Sequence, residues 1–200
     1  MPRPRRAVPR SFDREYFRRY YYSPQTRVTG RRDMQVRADL IAAVLAAAQL
    51  PVRSILDAGC GIGLLKPAFA KALPKARYQG LEASEYLCER YGWIRGSVAT
   101  HRPEKPADLV VCYDVLQYLD DAAAQLALEN LARLGRGALY FSALTRADWR
   151  DNCDQSRTDS DVHLRSGDWY RRRLRRRFRY LACGVWVLKS VSVIRWELES

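Results

Sequence analysis

Three glycines at alternate positions, Gly59, Gly61 and Gly63, follow a short apolar run that contains Asp57 at its end. Glycines spaced this way let backbone approach a ligand closely, because no Cβ stands in between. A second acid, Glu82, closes the next apolar run. A carboxylate at that place can hold two ribose hydroxyls. Two nucleotide-binding patterns fail on spacing. A dinucleotide fingerprint wants a glycine at position 64, which is Leu64. A phosphate-cradling loop wants Lys followed by Ser or Thr, and neither follows Gly63. A glycine loop without that lysine, flanked by two carboxylates, suits a nucleoside that carries positive charge.

The elements that must position these residues are legible from periodicity. Residues 52–57 read as a buried strand, 64–73 as a helix stopped by Pro74, and 77–82 as a second strand. A helix follows over 84–91, then a short strand over 93–97 and a strongly apolar one over 108–113. Asp120 or Asp121 caps a helix that ends at Gly135, and 138–142 form a fifth strand. Strands alternating with helices imply a parallel sheet covered on both faces. Residues 180–188 and 191–198 read as two final strands with little between them, so they should pair antiparallel.

Upstream, Ser11 can cap a helix that carries Phe12, Tyr16 and Tyr20 on one stripe, with Phe17 and Tyr21 alongside. Pro24 ends it, and 25–33 are polar and loop-like. A second helix runs from about Arg37, with Leu40, Ile41, Val44 and Leu45 on one face, to Pro51. Residues 1–35 therefore read as a basic arm with an aromatic helix, and 36–200 as a single domain.

Composition narrows the class further. The 200 residues are 48% hydrophobic, which excludes disorder throughout. The apolar run over 40–48 is far short of the roughly 20 residues a bilayer span needs. Arg5 and Arg6 are followed by no apolar stretch, so no signal peptide is expected. Five cysteines with no CxxC pair argue against a disulfide framework or a metal site and place the chain in a reducing cytoplasm. The formal charge of +13 is uneven. Residues 1–37 hold eleven Arg against Asp13, Glu15 and Asp33, and 157–179 hold nine Arg against three Asp. The stretch between them carries thirteen basic and fourteen acidic residues. In the late basic segment, Tyr170, Leu174 and Phe178 fall at helical spacing, which predicts an amphipathic helix with Arg on its wet face.

The segments ILDAGCGIGLL (55–65), GLEAS (80–84) and ADLVVCYDVLQYLDD (107–121) resemble the class I S-adenosylmethionine-dependent methyltransferases. The resemblance implies an α/β, Rossmann-like three-layer αβα sandwich. Its mixed seven-stranded sheet has the order 3-2-1-4-5-7-6, with the last strand antiparallel. It also implies roles. Gly59, Cys60, Gly61 and Gly63 would cradle the methionine part of S-adenosylmethionine, with Asp57 ordering the loop. Glu82 would bind the ribose, Ala83 would flank the adenine, and Ser97 and Val98 would edge it. Tyr113, Asp114 and Tyr118 would lie next to the sulfonium. The aromatic helix of the arm would be a lid from which Tyr16 faces the ligand, and Arg27 would meet the cofactor carboxylate.

Methyl transfer from a sulfonium needs alignment of nucleophile and methyl carbon, helped by a base where the acceptor is a hydroxyl or an ammonium. His163 and Asp114 are the candidate bases, while His101 reads as a surface-loop histidine. No cysteine follows a proline, and Tyr113-Asp114-Val115-Leu116 stands where base-modifying enzymes carry an [N/D]-P-P-[Y/F] motif. The expectation is therefore transfer to an O or N atom of a small-molecule acceptor, an anionic one being compatible with the basic segments, with S-adenosylhomocysteine as by-product. Two alternatives stay open. The Arg-rich segments fit an RNA methyltransferase, and the scarcity of bases fits a non-catalytic S-adenosylmethionine-binding protein. Oligomeric state is not legible.

Overall fold

The computed structural model of the chain describes residues 12–23, 25–27 and 29–194. The expected helix ends at Ser11 and Pro24, and the arm before them, lie outside these residues. The aromatic segment opens as α1 (Arg14–Phe17), capped by the Asp13 carboxylate, which accepts the Tyr16 amide at 3.0 Å. It widens into a π-helical turn over Arg18–Tyr22.

The next helix, α2 (Arg31–Ala47), begins six residues before the expected start. Asp33 is the reason: its carboxylate accepts the Gly30 amide at 2.8 Å and closes the first turn. Met34, Ala38, Ile41 and Leu45 pack inward, and Leu40 is left 40% exposed.

Alternating units follow: β1 (Ser54–Ala58), α3 (Leu65–Ala72), β2 (Arg77–Glu82), α4 (Glu85–Tyr91), β3 (Ile94–Arg95) and β4 (Ala107–Tyr113). After them come α5 (Asp121–Leu134), β5 (Gly135–Ser142), α6 (Arg146–Asp151), α7 (Gly167–Leu174), β6 (Phe178–Ala182) and β7 (Val185–Leu188). The seven strands form one sheet of order β3-β2-β1-β4-β5-β7-β6. β7 runs antiparallel to both β5 and β6, and the other pairs are parallel. This is the expected Rossmann-like order.

Alternation along the strands divides the core. Leu109 and Val111 face α2 and α3, where Ile41, Leu45 and Phe69 pack. Val110 and Cys112 face α5 and α7, where Leu131, Leu134, Tyr170 and Leu174 pack. Both strips are close-packed, so the ends of the parallel strands are held rigidly.

Three C-terminal expectations need correction. Residues 180–188 are not one strand but parts of β6 and β7, joined by a two-residue turn at Cys183 and Gly184. Both turn residues have positive φ, 46° and 83°, which matches the twist of a tight hairpin. Residues 191–194 form no strand, and 195–198 lie outside the described residues. The arginine-rich helix also stops at Leu174. The Arg176 and Arg177 amides reach back only three residues, to the Arg173 and Leu174 carbonyls, which tightens and ends the helix. Phe178 is buried in the same core as Tyr170 and Leu174, but as the first residue of β6.

The polar stretch after β5 contains α6, a short helix with no apolar stripe to announce it. Thr145 and Asp148 cap each other, Oγ1 donating to the Asp148 carboxylate at 2.5 Å.

Candidate active site

The parallel strands β1, β2, β4 and β5 all end at one rim, and the loops there enclose a cavity of about 520 Å³. Residues 59–62 and 64 form its floor. Gly59 and Gly61 have φ of 86° and 53°, conformations that an L side chain resists. A Cβ on Gly59 would stand 2.3 Å from Val115, so this glycine is fixed by packing. At Gly61 the nearest atom to such a Cβ is Tyr21 Cε1 at 4.0 Å, so this face is open to the cavity. Gly63 does not line the cavity; a Cβ there would stand 2.5 Å from Trp93. Its use is to let Trp93 pack beneath the loop, where the indole N–H donates to the Gly61 carbonyl at 3.0 Å.

The loop is tied to β2. The Gly59 and Cys60 amides reach the Leu81 carbonyl at 2.7 and 3.2 Å. Glu82 Oε2 accepts the Gly61 amide at 2.8 Å, and Oε1 accepts the Ala83 and Ser84 amides at 2.8 and 2.9 Å. Glu82 is 8% exposed and thus stays ordered beside the loop. Asp57, 3% exposed, lies under the same loop and accepts a hydrogen bond from the Tyr78 hydroxyl. Burial pushes its carboxyl up to about 7, against the Tyr78 hydrogen bond and with a push from Glu82. Burial likewise raises the Cys60 thiol, so this cavity cysteine stays protonated.

The far wall comes from β4. Asp114 has φ of 54°, a strained conformation that Asp tolerates better than most residues, and its amide donates to the Ser142 carbonyl at 3.0 Å. Burial raises its carboxyl, opposed by Tyr113 and the Arg37 guanidinium. Arg37 lies 4.0 Å over the Tyr113 ring and donates to the Tyr113 and Tyr140 hydroxyls. Its Nε is buried without a hydrogen-bond partner among the described residues. The segment 142–159 supplies the remaining wall, including Asp148, Asn152, Asp154, Arg157 and Asp159. Burial acts upward on the Asp148 carboxyl, but hydrogen bonds from Thr145 and Asn152 outweigh it and hold it low.

The aromatic segment is the roof. Tyr16, Tyr20 and Tyr21 line the cavity. The Tyr16 hydroxyl meets the Tyr118 hydroxyl at 3.1 Å, Tyr22 meets Tyr91 at 2.8 Å, and Ser84 Oγ donates to the Phe12 carbonyl at 2.5 Å. The segment therefore bridges from the β4 loop to the β2 loop.

Of the expected site residues, the cavity gathers Tyr16, Asp57, Gly59, Cys60, Gly61, Tyr113, Asp114 and Tyr118. Glu82 stands behind Gly61, and Ala83 is exposed beside it. Ser97 and Val98 lie outside the lining. The Ser97 carbonyl holds the His101 turn, and the Val98 carbonyl accepts from Asn130 at 2.9 Å. Arg27 is exposed and offers its backbone carbonyl to Arg157; the arginine beside Tyr113 is Arg37. His163 is exposed and outside the lining, with its amide on the Gln117 carbonyl at 2.7 Å. Arg37, Gln117, Tyr21, Tyr78 and Trp93 have structural places at the site that the sequence reading missed. No spacing rule singles them out, although Tyr78 sits two residues before Gly80 on the strand that ends in Glu82.

The basic helix end lies elsewhere. Phe178 pairs with Leu188, while β7 runs antiparallel to β5, so the end of α7 sits at the rim opposite the glycine loop. Arg133, Arg173, Arg176, Arg177 and Lys189 line a separate groove there. The arginine-rich helix and the aromatic roof do not share a mouth.

A mixed sheet in this order, with an open glycine floor between two carboxylates, defines the class I S-adenosylmethionine-dependent methyltransferases. Residues 31–189 match the family model described as a methyltransferase domain, and the chain belongs to that family. The fold is similar to that of the N-methyltransferase NodS from Bradyrhizobium japonicum WM9, solved with S-adenosyl-L-homocysteine. That match has a TM-score of 0.59 at 16% identity, covering 80% of this chain and 87% of the other. Streptomyces venezuelae DesVI matches with a TM-score of 0.57 at 18% identity over 78% of this chain and 91% of its own. Magnesium protoporphyrin IX methyltransferase from Synechocystis PCC 6803, solved with bound S-adenosylmethionine, gives 0.53 at 21% identity over 77% of each. No curated protein matches the sequence.

The cofactor of the family is S-adenosylmethionine, and this cavity fits it. Gly61 leaves room where a side chain would stand, and Arg37 Nε is an unpaired buried donor suited to a carboxylate. Glu82 meets three backbone amides, which leaves a carboxylate with lone-pair capacity for a hydroxyl. Among the described residues, no helix is long and apolar enough to cross a membrane, and no cluster of His, Cys, Asp and Glu could hold a metal ion.

Proposed function

We propose that the chain transfers a methyl group to an oxygen or nitrogen of a small molecule. The observation that carries this reading is the enclosure of the cavity. The tyrosines of the roof and the 142–159 segment both cover the Gly61 floor, within about 520 Å³. Such a volume takes a nucleoside donor and the reacting end of a small acceptor. The groove of arginines faces the opposite rim, so it adds no phosphate contacts at the mouth.

S-adenosylmethionine supplies an activated methyl on a sulfonium. This chain's residues bind, orient and exclude water. Gly59, Cys60 and Gly61 form the floor, Arg37 reaches the carboxylate, and Glu82 reaches the ribose. In this reading Asp114, a partly buried wall residue whose carboxyl is raised by burial, accepts the proton an acceptor loses. His163 is exposed, which leaves Asp114 the better placed of the two bases. The 12–22 segment acts as a lid, latched through Tyr16 and Tyr118 and through Phe12 and Ser84.

The test is transfer from labelled S-adenosylmethionine by the purified protein, offered separately a low-mass metabolite extract and total RNA. The account expects label in the low-mass fraction. Label in RNA alone would replace it with the nucleic-acid reading, and cofactor binding without transfer to either would replace it with the non-catalytic one.

A further inference from the structure

Gln117 stands at the cavity wall in the turn over Leu116–Tyr118 and is 3% exposed. Its Oε1 is buried with no hydrogen-bond partner among the described residues. A buried, unpaired amide oxygen costs on the order of 1–3 kcal/mol, a cost removed when a donor arrives. The backbone around it is tied at several points. The Gln117 carbonyl holds the His163 amide, and Arg165 ties this turn down through the Leu116 and Leu119 carbonyls at 2.9 and 2.5 Å. The turn that carries the side chain is thus held in place, and Gln117 and Asp114 both line the cavity.

An oxygen acceptor selects its partner by hydrogen count. A carboxylate or a phosphate ester ionised at neutral pH offers no proton and would leave Oε1 unpaired. An amine or a hydroxyl offers one. Charge separates these two. The 142–159 part of the wall carries Asp148, Asp154 and Asp159 against Arg157, while the other lining cation, Arg37, is engaged with Tyr113 and Tyr140. Tyrosine rings line the roof, and ring faces attract cations. A field of this sign gathers ammonium groups and repels acids.

From this we infer that the acceptor is an amine bearing at least one N–H, which Gln117 Oε1 reads directly. The inference rests on the small-molecule reading above and narrows it to nitrogen. The ammonium arrives as the charged form and gives one proton to the Asp114 carboxylate. The freed lone pair forms the N–C bond to the methyl carbon. The C–S bond breaks with its electron pair left on sulfur, so the sulfonium charge is lost and the methylated nitrogen becomes cationic. The methylated ammonium leaves as a cation, and Asp114 returns its proton to water.

The experiment identifies the atom that carries label after incubation of the holoenzyme with a low-mass metabolite extract, then repeats the reaction with two variants. Gln117→Leu removes the oxygen at similar volume, and Gln117→Glu keeps an acceptor oxygen. The expected result is label on nitrogen. With the labelled amine as substrate, Gln117→Leu raises its KM by about tenfold or more. Gln117→Glu stays within about threefold of wild type, and the S-adenosylmethionine Kd is unchanged in both. Label on oxygen, recognised for esters by loss in base, overturns the inference and leaves the small-molecule reading intact. An N-methylated product with a KM indifferent to Gln117→Leu overturns the role of Gln117. Transfer to RNA alone, or to nothing, overturns the reading beneath it and the inference with it.

Discussion

Glu82 Oε2 holds the backbone amide of Gly61 at 2.8 Å, so the acid that ends β2 and the loop that follows β1 behave as one piece. Removing Glu82 therefore does more than delete a ribose contact. Glu82→Ala leaves the Gly61, Ala83 and Ser84 amides without their acceptor, at a cost of roughly 1–3 kcal/mol of stability for such a buried loss. The expected outcome is a lower melting temperature and a rise of about tenfold or more in the Kd for S-adenosylmethionine. Calorimetry and thermal melts on the same samples check both.

Arg37 and Arg27 should separate cleanly. Arg37 is held against Tyr113 with a buried unpaired Nε, whereas Arg27 is exposed and touches the site only through its backbone carbonyl. Arg37→Ala is expected to weaken cofactor binding by about tenfold, the value of one charge-assisted contact. Arg27→Ala should leave it within about twofold, as most exposed substitutions do. Equal effects in titration calorimetry would contradict this placement.

The buried Asp57 makes stability depend on pH in a direction opposite to that of a salt-bridged acid. Its carboxyl is raised to about 7, above the ordinary 3.8, so between those values the folded chain holds a proton the unfolded chain has lost. Stability must fall as pH rises through that window, by up to about 1.4 kcal/mol per pH unit, and level off above it. Asp57→Asn keeps an oxygen for the Tyr78 hydroxyl and removes the titration. Urea unfolding of both proteins at pH 5, 6, 7 and 8 should show the wild type losing ground to the variant up to about 7. Parallel curves would count against a proton held at Asp57.

If the aromatic segment is a lid, its latch should govern exchange more than stability. Tyr16→Phe deletes the hydroxyl that meets Tyr118 at 3.1 Å. A neutral hydrogen bond nets about 0.5–1.5 kcal/mol, so the melting temperature should move little while cofactor dissociation quickens by about two- to tenfold. Stopped-flow displacement of S-adenosylmethionine measures it, and an unchanged rate with an unchanged melt would argue against a latch.

The glycine floor and the positions of the main strands were legible because both are local or patterned, whereas the strand order followed from the family resemblance. Gly59-x-Gly61-x-Gly63 lies within five residues, and the apolar runs that became β1, β2, β4 and β5 are bounded by visible turns. Contacts between distant segments left no such mark. Arg37 meets Tyr140 across 103 positions, and Tyr16 meets Tyr118 across 102. Arg27 and Arg37 are equally basic in the sequence, and only their places in the fold, one exposed before α2 and the other on α2 against Tyr113 and Tyr140, separate them. The Cys183-Gly184 turn was missed because cysteine rarely takes positive φ, so the hairpin read as one strand.

The central claim is that the cofactor rests on the open face of Gly61. Gly61→Val fills that face with a branched side chain while nothing but Tyr21 stands near, and Tyr21 belongs to the roof, not the core. Titration of S-adenosylmethionine into wild type and Gly61→Val, with melts of both, tests it most directly. The account predicts saturable one-to-one binding to wild type. It predicts a loss of about a hundredfold or more in the variant, with a destabilisation of only about 1–2 kcal/mol from the strained φ. Undiminished binding by a folded Gly61→Val, or no binding by wild type, would contradict it.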